Sequence, residues 1–378
     1  MTVISEDIIK IAISRIPGLG CISAKKMVAY TGSLEAVFVE KPAVLKKVPG
    51  IGDYAVNKII KNRNQAIEDA ADELLYADNN EIGFVSYWDS DYPSMLKENE
   101  DAPLLLYFKG KPLFKAKKKI SIVGTRNASR TSKEFCADIV EQISQRHPDI
   151  IVISGLAFGI DAAAHEAAIK NKLQTWAVVG HGFETIYPAE HAHLAAEIIK
   201  TDGAILTEYH HNSKISPANF VERNRIVAGL SQAIVVVESS RKGGAMITAD
   251  FGNQYNRDVF AVPGNIDRIG GNGCNLLIKS HRAHLLESVE DIEYITGWKP
   301  PEISSNQPLG INFISEAGLT EDEMIITRIL KDESYVDFDG LMNKSGFTTG
   351  KISGLLLELE FKGAIRSLPG KIFSLRKV

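Results

Sequence analysis

Charge of one sign is not in excess: 43 Lys and Arg against 47 Asp and Glu leave a net charge of −4 over 378 residues. That excludes a global attraction to a polyanion, so any nucleic-acid site has to be a local concentration of cations. Cysteine is scarce. Cys21, Cys136 and Cys274 are odd in number and scattered, which argues against a disulfide framework and fits a reducing compartment. No apolar run is long enough to span a bilayer, and the chain does not open with a basic stretch followed by an apolar one. A cytoplasmic protein with no membrane partner is expected.

Enzyme signatures are missing as well. There is no G-x-S-x-G elbow and no G-x-x-x-x-G-K-[ST] loop; Gly346 to Lys351 has the wrong spacing, with Ile352 where the hydroxyl belongs. His165-Glu166-Ala167-Ala168-Ile169 lacks the second histidine of a zinc H-E-x-x-H pattern, and His191/His193 and His210/His211 have no matching Cys or carboxylate pattern. No catalytic residue, metal or cofactor is assigned. Asp161 is expected to cap a helix start, and His165 to be a packed, hydrogen-bonded histidine.

What is present divides the chain into segments, and its length suits two or three domains. Residues 1–78 read as all-helical. They hold a near-repeat, Ile16-Pro17-Gly18-Leu19-Gly20 and Val48-Pro49-Gly50-Ile51-Gly52, each followed by a helical pattern. This is a helix-hairpin-helix (SAM-like) pattern, whose glycines expose the N–H groups of the next helix. Such a turn either holds a DNA phosphate or builds a small five-helix interaction domain.

Residues 79–297 alternate apolar runs with helical stretches. The runs are 104–108, 120–123, 150–153, 175–179, 204–206, 233–237 and 259–262. Most lack polar alternation, as strands covered on both faces do, which predicts an α/β, Rossmann-like, doubly wound and mainly parallel sheet. A Pro/Ser/Asn-rich linker is expected over 298–315. Residues 316–378 carry three helical patterns, near 321–331, 336–344 and 348–361, then two short strands around Pro369-Gly370: a winged-helix-like domain. Its third helix carries only Lys351 and Lys362 as cations, so a protein-interaction role is at least as well supported as DNA reading.

Several loops follow the expected strands. Gly124-Thr125-Arg126 ends one of them without the G-x-G-x-x-G dinucleotide pattern. Its glycine suits close approach of backbone to phosphate, and Arg126 offers a planar two-point fork. The alternative is an ordinary strand-to-helix turn. In Phe220-Val221-Glu222-Arg223-Asn224-Arg225 the helical stripe places Phe220 and Arg223 inward and Arg225 on another face. Phe220 and Arg223 suit an unstacked base and a phosphate, or equally a core aromatic and an internal salt bridge. Lys242-Gly243-Gly244 opens a further loop-to-helix anion cradle. Lys109, Lys111, Lys115, Lys117, Lys118 and Lys119 form a cation cluster, either a polyanion site or a solvated linker face.

Taken in order, I-V-G-T-R (122–126), S-G-L-A-F-G-I-D-A-A-A-H (154–165), Y-P (187–188), T-E (207–208), F-V-E-R-N-R-I-V-A-G-L-S (220–231), K-G-G-A-M-I-T-A (242–249), V-P-G (262–264) and G-x-N-x-L-I (273–278) closely resemble the DprA/Smf family of bacterial DNA-processing proteins. The resemblance implies a non-enzymatic recombination mediator that binds single-stranded DNA and dimerises through the central domain. It implies loading of the RecA recombinase and protection of incoming DNA during natural transformation, with single-strand-binding protein as a further partner. It carries DNA contact onto Gly124, Thr125, Arg126, Lys214, Phe220, Arg223, Asn224 and Arg225, beside Lys242, Gly243 and Gly244. The alternative is a nucleotide-processing hydrolase of the lysine-decarboxylase-like Rossmann group, which Gly243-Gly244 and Thr248 keep open.

Overall fold

The computed structural model describes residues 5–266, 269–299, 319–333, 336–368 and 371–375. It divides into two compact units, residues 1–301 and 302–378. The linker expected over 298–315 lies outside the described residues from Pro300 onward.

The first unit opens with α1 (Glu6–Arg15), α2 (Cys21–Thr31), α3 (Leu34–Val39), α4 (Pro42–Leu45) and the long α5 (Asp53–Asn79). Gly18 (φ +79°) and Gly50 (φ +77°) take the left-handed turn that each hairpin requires. Neither Gly20 nor Gly52 supplies a side-chain cap to the helix it precedes. At α5, Asp53 already places a carboxylate on the helix N-terminus and pairs with Lys46 at 3.0 Å.

The α/β core begins with β1 (Gly83–Ser86), α6 (Ser94–Lys97), β2 (Leu105–Gly110), β3 (Lys119–Val123), α7 (Arg130–Arg146) and β4 (Ile151–Ser154). It continues through α8 (Ile160–Lys170), β5 (Gln174–Val178), α9 (Ala192–Lys200), β6 (Ala204–Thr207), α10 (Pro217–Leu230) and β7 (Ala233–Val236). It closes with α11 (Gly244–Gln254), β8 (Asp258–Ala261), α12 (Asn272–Lys279), β9 (His284–Leu285) and α13 (Val289–Thr296). The sheet order is β1-β2-β6-β5-β4-β3-β7-β8-β9, with the β1–β2 and β2–β6 pairs antiparallel and the other neighbours parallel.

Both faces of this sheet are covered, which explains the absence of polar alternation. Ile151, Ile153, Trp176, Val178, Ile234 and Val236 point to one face, with Ile226 and Leu230 of α10 and Met246 of α11. Their neighbours Ile120, Ile122, Val152 and Val235 point to the other, with Ile139 and Val140 of α7 and Ile160 of α8. Trp176 is wholly buried; truncating such a side chain costs about 3–5 kcal/mol. The N-terminal helices share a core with Leu104, Leu105 and Tyr107 at β2, so they pack directly against the sheet's antiparallel edge.

The chain runs from β3 to β4, β5 and β6 on one side, then crosses to β7 on the other side of β3. The loops after β3 and β7 therefore diverge from a topological switch point. Open α/β sheets bind ligands there, outside the carboxyl ends of the strands.

The second unit contains α14 (Glu321–Asp332), β10 (Val336–Asp337), α15 (Phe338–Ser345), α16 (Thr349–Phe361), β11 (Ile365–Leu368) and β12 (Ile372–Leu375). It is a winged-helix domain with a three-stranded sheet, β10-β12-β11, and a core of Ile326, Leu330, Leu341, Ile352, Leu356 and Leu359. Thr320 and Glu323 form a capping box on α14. Residues Pro369-Gly370 between the last two strands lie outside the described residues.

Candidate nucleic-acid interface

The β3 loop is built around its neighbours before it meets any ligand. Thr125 donates its backbone N–H to Glu238 O at 2.7 Å. Glu238 Oε2 accepts from the backbone N–H of Ser129 at 2.8 Å and from its hydroxyl at 3.1 Å. Ser129 in turn caps α7. A β-carbon at Gly124 would lie 2.5 Å from Ile160 Cγ1. Glycine is thus required here by the packing of α8, a different reason from the phosphate approach expected from the sequence. What the loop leaves free is Arg126, exposed and without an acidic partner among the described residues.

Arg223 takes the internal alternative. Its guanidinium, 5% exposed, donates to the carbonyls of Gly155 and Val178. Asp161 faces it across Gly155, and its Oδ2 accepts from Gly155 N and Ala157 N at 3.1 and 3.4 Å. Burial pushes the Asp161 carboxyl above its ordinary range, opposed by the charge of Arg223. Asp161 therefore secures the turn before α8, while Gly159 holds the cap position. Arg225 is also internal, 7% exposed and paired with Glu208. Burial raises Glu208 to about 7 even against Arg225. Neither arginine presents its guanidinium to the rim, because α10 is buried from Arg225 to Leu230 and its inward side meets carbonyls and carboxylates.

Phe220 sits at the rim end of α10, half-buried, with its ring 5.4 Å from that of Tyr187. A β-carbon at Gly180 would lie 3.0 Å from Phe220 Cδ1, so the glycine makes room for the ring. Lys214 is exposed just before the helix, and its carbonyl accepts from Asn219 Nδ2 at 3.2 Å. Asn224 is half-buried, and its side chain makes no hydrogen bond to protein among the described residues. Lys242 is exposed, and Gly243 heads α11 without a side-chain cap. A β-carbon at Gly244 would meet nothing within 4 Å, so that helix N-terminus is open.

Three further side chains join this rim that the sequence reading did not assign to DNA contact. Phe158 is 41% exposed and its ring lies 4.7 Å from that of His191, while Tyr187 is 43% exposed beside Phe220. The legible signal was Phe158 itself, a large aromatic inside a loop of small residues.

The lysine cluster belongs elsewhere. Lys119 opens β3, and Lys109 pairs with Ile205 near the start of β6, so the cluster lies at the amino edge of the parallel strands. Lys119 is buried against the carbonyls of Phe114 and Ala116. Lys111 pairs with Asp202, and Lys115 with Asp91. His165 is wholly buried, its Nδ1 2.7 Å from Thr175 Oγ1. No group of three or more His, Cys, Asp or Glu among the described residues could hold a metal ion. No helix among them is long and apolar enough to cross a membrane.

Residues 83–296 match the model of DNA recombination-mediator protein A, and residues 315–371 match the DprA winged helix domain. The chain belongs to the DNA recombination-mediator protein A family. It is 31% identical to Protein Smf of Synechocystis over 98% of this chain and 99% of that one. It is 31% identical to Protein Smf of Escherichia coli over 76% and 75%. DNA processing protein A of Streptococcus pneumoniae shares the fold, with a TM-score of 0.64 at 27% identity over 76% of this chain and 97% of that one. DNA processing protein A of Helicobacter pylori, whose structure concerns a single-stranded DNA binding mode, has a TM-score of 0.51 at 23% identity over 57% and 94%. The family is one of DNA-processing mediators and not of enzymes, which sets the hydrolase alternative aside.

Proposed function

We propose that the carboxyl edge of the sheet binds single-stranded DNA without modifying it. Arg126, Lys214 and Lys242 hold phosphates, the open N-terminus of α11 at Gly243-Gly244 receives another, and Asn224 adds a polar contact. Phe220 stacks a base, with Tyr187 and Phe158 as neighbouring platforms. Gly124 and Thr125 shape the turn that aims Arg126, while Arg223 and Arg225 hold the wall from inside. The observation that carries this reading is an unpaired, exposed Arg126 at the switch point, on the same strand-end edge as exposed aromatic rings. A lone strand offers both phosphates and unstacked bases, whereas a duplex hides its bases.

The family membership supports a larger role: a cytoplasmic homodimer that protects incoming DNA, works beside single-strand-binding protein and passes the strand to the RecA recombinase. In that reading the chain comprises a helical domain (1–78), a DNA-binding core (79–297), a linker (298–315) and a winged helix (316–378).

The test is a titration of fluorescent single- and double-stranded oligonucleotides at two salt concentrations. Single strands are expected to bind more tightly, with Arg126→Ala losing about 1.5–3 kcal/mol and flattening the salt slope by about 0.7. Equal affinity of Arg126→Ala and the parent for oligo-dT would overturn the assignment.

A further inference from the structure

The loop from Tyr209 to Ser216 joins β6 to α10 and carries Lys214. Its middle is held by the N-terminal helical region and not by the core alone. Glu73 of α5, only 2% exposed, accepts from the backbone N–H of His211 at 2.8 Å through Oε1. Its Oε2 lies 2.7 Å from His211 Nδ1. One turn further along α5, the Tyr76 ring stacks on the same imidazole, with centroids 4.0 Å apart and planes 16° from parallel. A buried carboxylate that spends both oxygens on one residue of another element is a specific fixture, because leaving either side unpaired costs its desolvation.

The fixture reaches the rim by two short routes. Ser213 N donates to His210 O, a turn that leads directly to Lys214, and Lys214 O is tied to Asn219 next to Phe220. In the other direction Glu184 N donates to His211 O at 3.2 Å. A β-carbon at Gly182 would lie 2.1 Å from His210 O and 2.2 Å from His211 O, so only glycine lets that loop pass so close, and it runs on to Tyr187.

We propose that Glu73 and Tyr76 are positioning residues for single-strand binding: the helical region clamps His211 and thereby sets the geometry of Lys214 and of the Phe220–Tyr187 wall. The inference rests on the rim reading above. It gives α5 a part in DNA affinity without touching the strand.

The experiment measures oligo-dT affinity by fluorescence anisotropy on the full chain, with thermal melts as a control for folding. Glu73→Ala is expected to weaken binding roughly 3- to 10-fold. Glu73→Gln, which still accepts from His211 N–H and presents an N–H to Nδ1, restores most of the affinity. Asp72→Ala, on the exposed side of the same helix, changes nothing. The decisive readout is the double-mutant cycle. In a Lys214→Ala background the Glu73→Ala loss shrinks, whereas in an Arg126→Ala background it stays whole, because Arg126 stands on another loop.

Should Glu73→Ala fail to fold, Tyr76→Leu removes the ring stack without burying an unpaired charge and is expected to give the same pattern. Losses that add fully in both backgrounds, or wild-type affinity in a folded Glu73→Ala or Tyr76→Leu variant, overturn the clamp while the rim stands. Wild-type affinity in Arg126→Ala and Lys214→Ala overturns the rim itself.

Discussion

The guanidinium of Arg223 fills the space that a side chain at Gly155 would need: a β-carbon there would lie 2.5 Å from Nη1. The two residues define each other. Gly155→Ala is expected to push Arg223 off the carbonyls of Gly155 and Val178. Arg223→Ala leaves those carbonyls and Asp161 without their cation, a loss of about 3–5 kcal/mol. Urea unfolding of both variants checks this. An Arg223→Ala chain that kept full stability and lost only DNA affinity would return Arg223 to the ligand surface.

Stacking and charge separate at Phe220. Phe220→Ala is expected to cost about 1–3 kcal/mol of single-strand affinity, the range for one base on an aromatic ring. The slope of log K against log salt stays unchanged, since no phosphate contact is lost. Titration of Phe220→Ala across salt concentrations, beside Arg126→Ala, reads both quantities. A changed slope in Phe220→Ala would mean that the ring only props up a cation.

The sheet was legible because its strands are apolar on both faces; seven runs sufficed to place β2 to β8. β1 and β9 were not. β1 spans four residues, half of them only partly buried, and β9 has two exposed ones, so neither leaves an apolar run. In α10 the spacing correctly turned Arg223 inward, but periodicity does not say whether inward means a groove or backbone carbonyls. The lysine cluster was left with two readings for a related reason. Composition carries no strand direction, and direction is what sets those lysines at the amino edge, away from the loops. Phe158, Tyr187 and His191 come from two loops that only the fold aligns.

Glu208 makes stability depend on pH in an unusual sense for a carboxylate. Its folded value is raised to about 7 by burial, from an ordinary 4.5. Between these limits the folded chain holds a proton that the unfolded chain has released, so this group's contribution falls as pH rises from about 4.5 to 7. Above that window it is constant. Glu208→Gln keeps an acceptor for Arg225 and removes the titration. The difference in unfolding free energy between parent and Glu208→Gln is therefore expected to drift in favour of the variant as pH climbs through the window. A difference that stays flat would mean that Arg225 holds Glu208 ionised throughout.

His165 works in the opposite direction. The Thr175 hydroxyl donates to Val152 O at 2.8 Å, so its oxygen accepts from His165 Nδ1–H, and Nε2 is buried without a hydrogen-bond partner among the described residues. Protonation at Nε2 would bury a charge against apolar packing, and burial accordingly lowers the folded value to about 3 from 6.5. The unfolded chain binds the proton first. The stability contributed by neutral His165 is whole above about pH 6.5 and is lost as pH falls toward 3. His165→Asn forfeits packing at neutral pH, yet the gap between it and the parent is expected to narrow on acidification. Urea unfolding of both chains at several pH values from 7 down to 4 checks this. A gap that held constant across that range would mean that the imidazole finds a proton acceptor in the fold and is not kept neutral by burial.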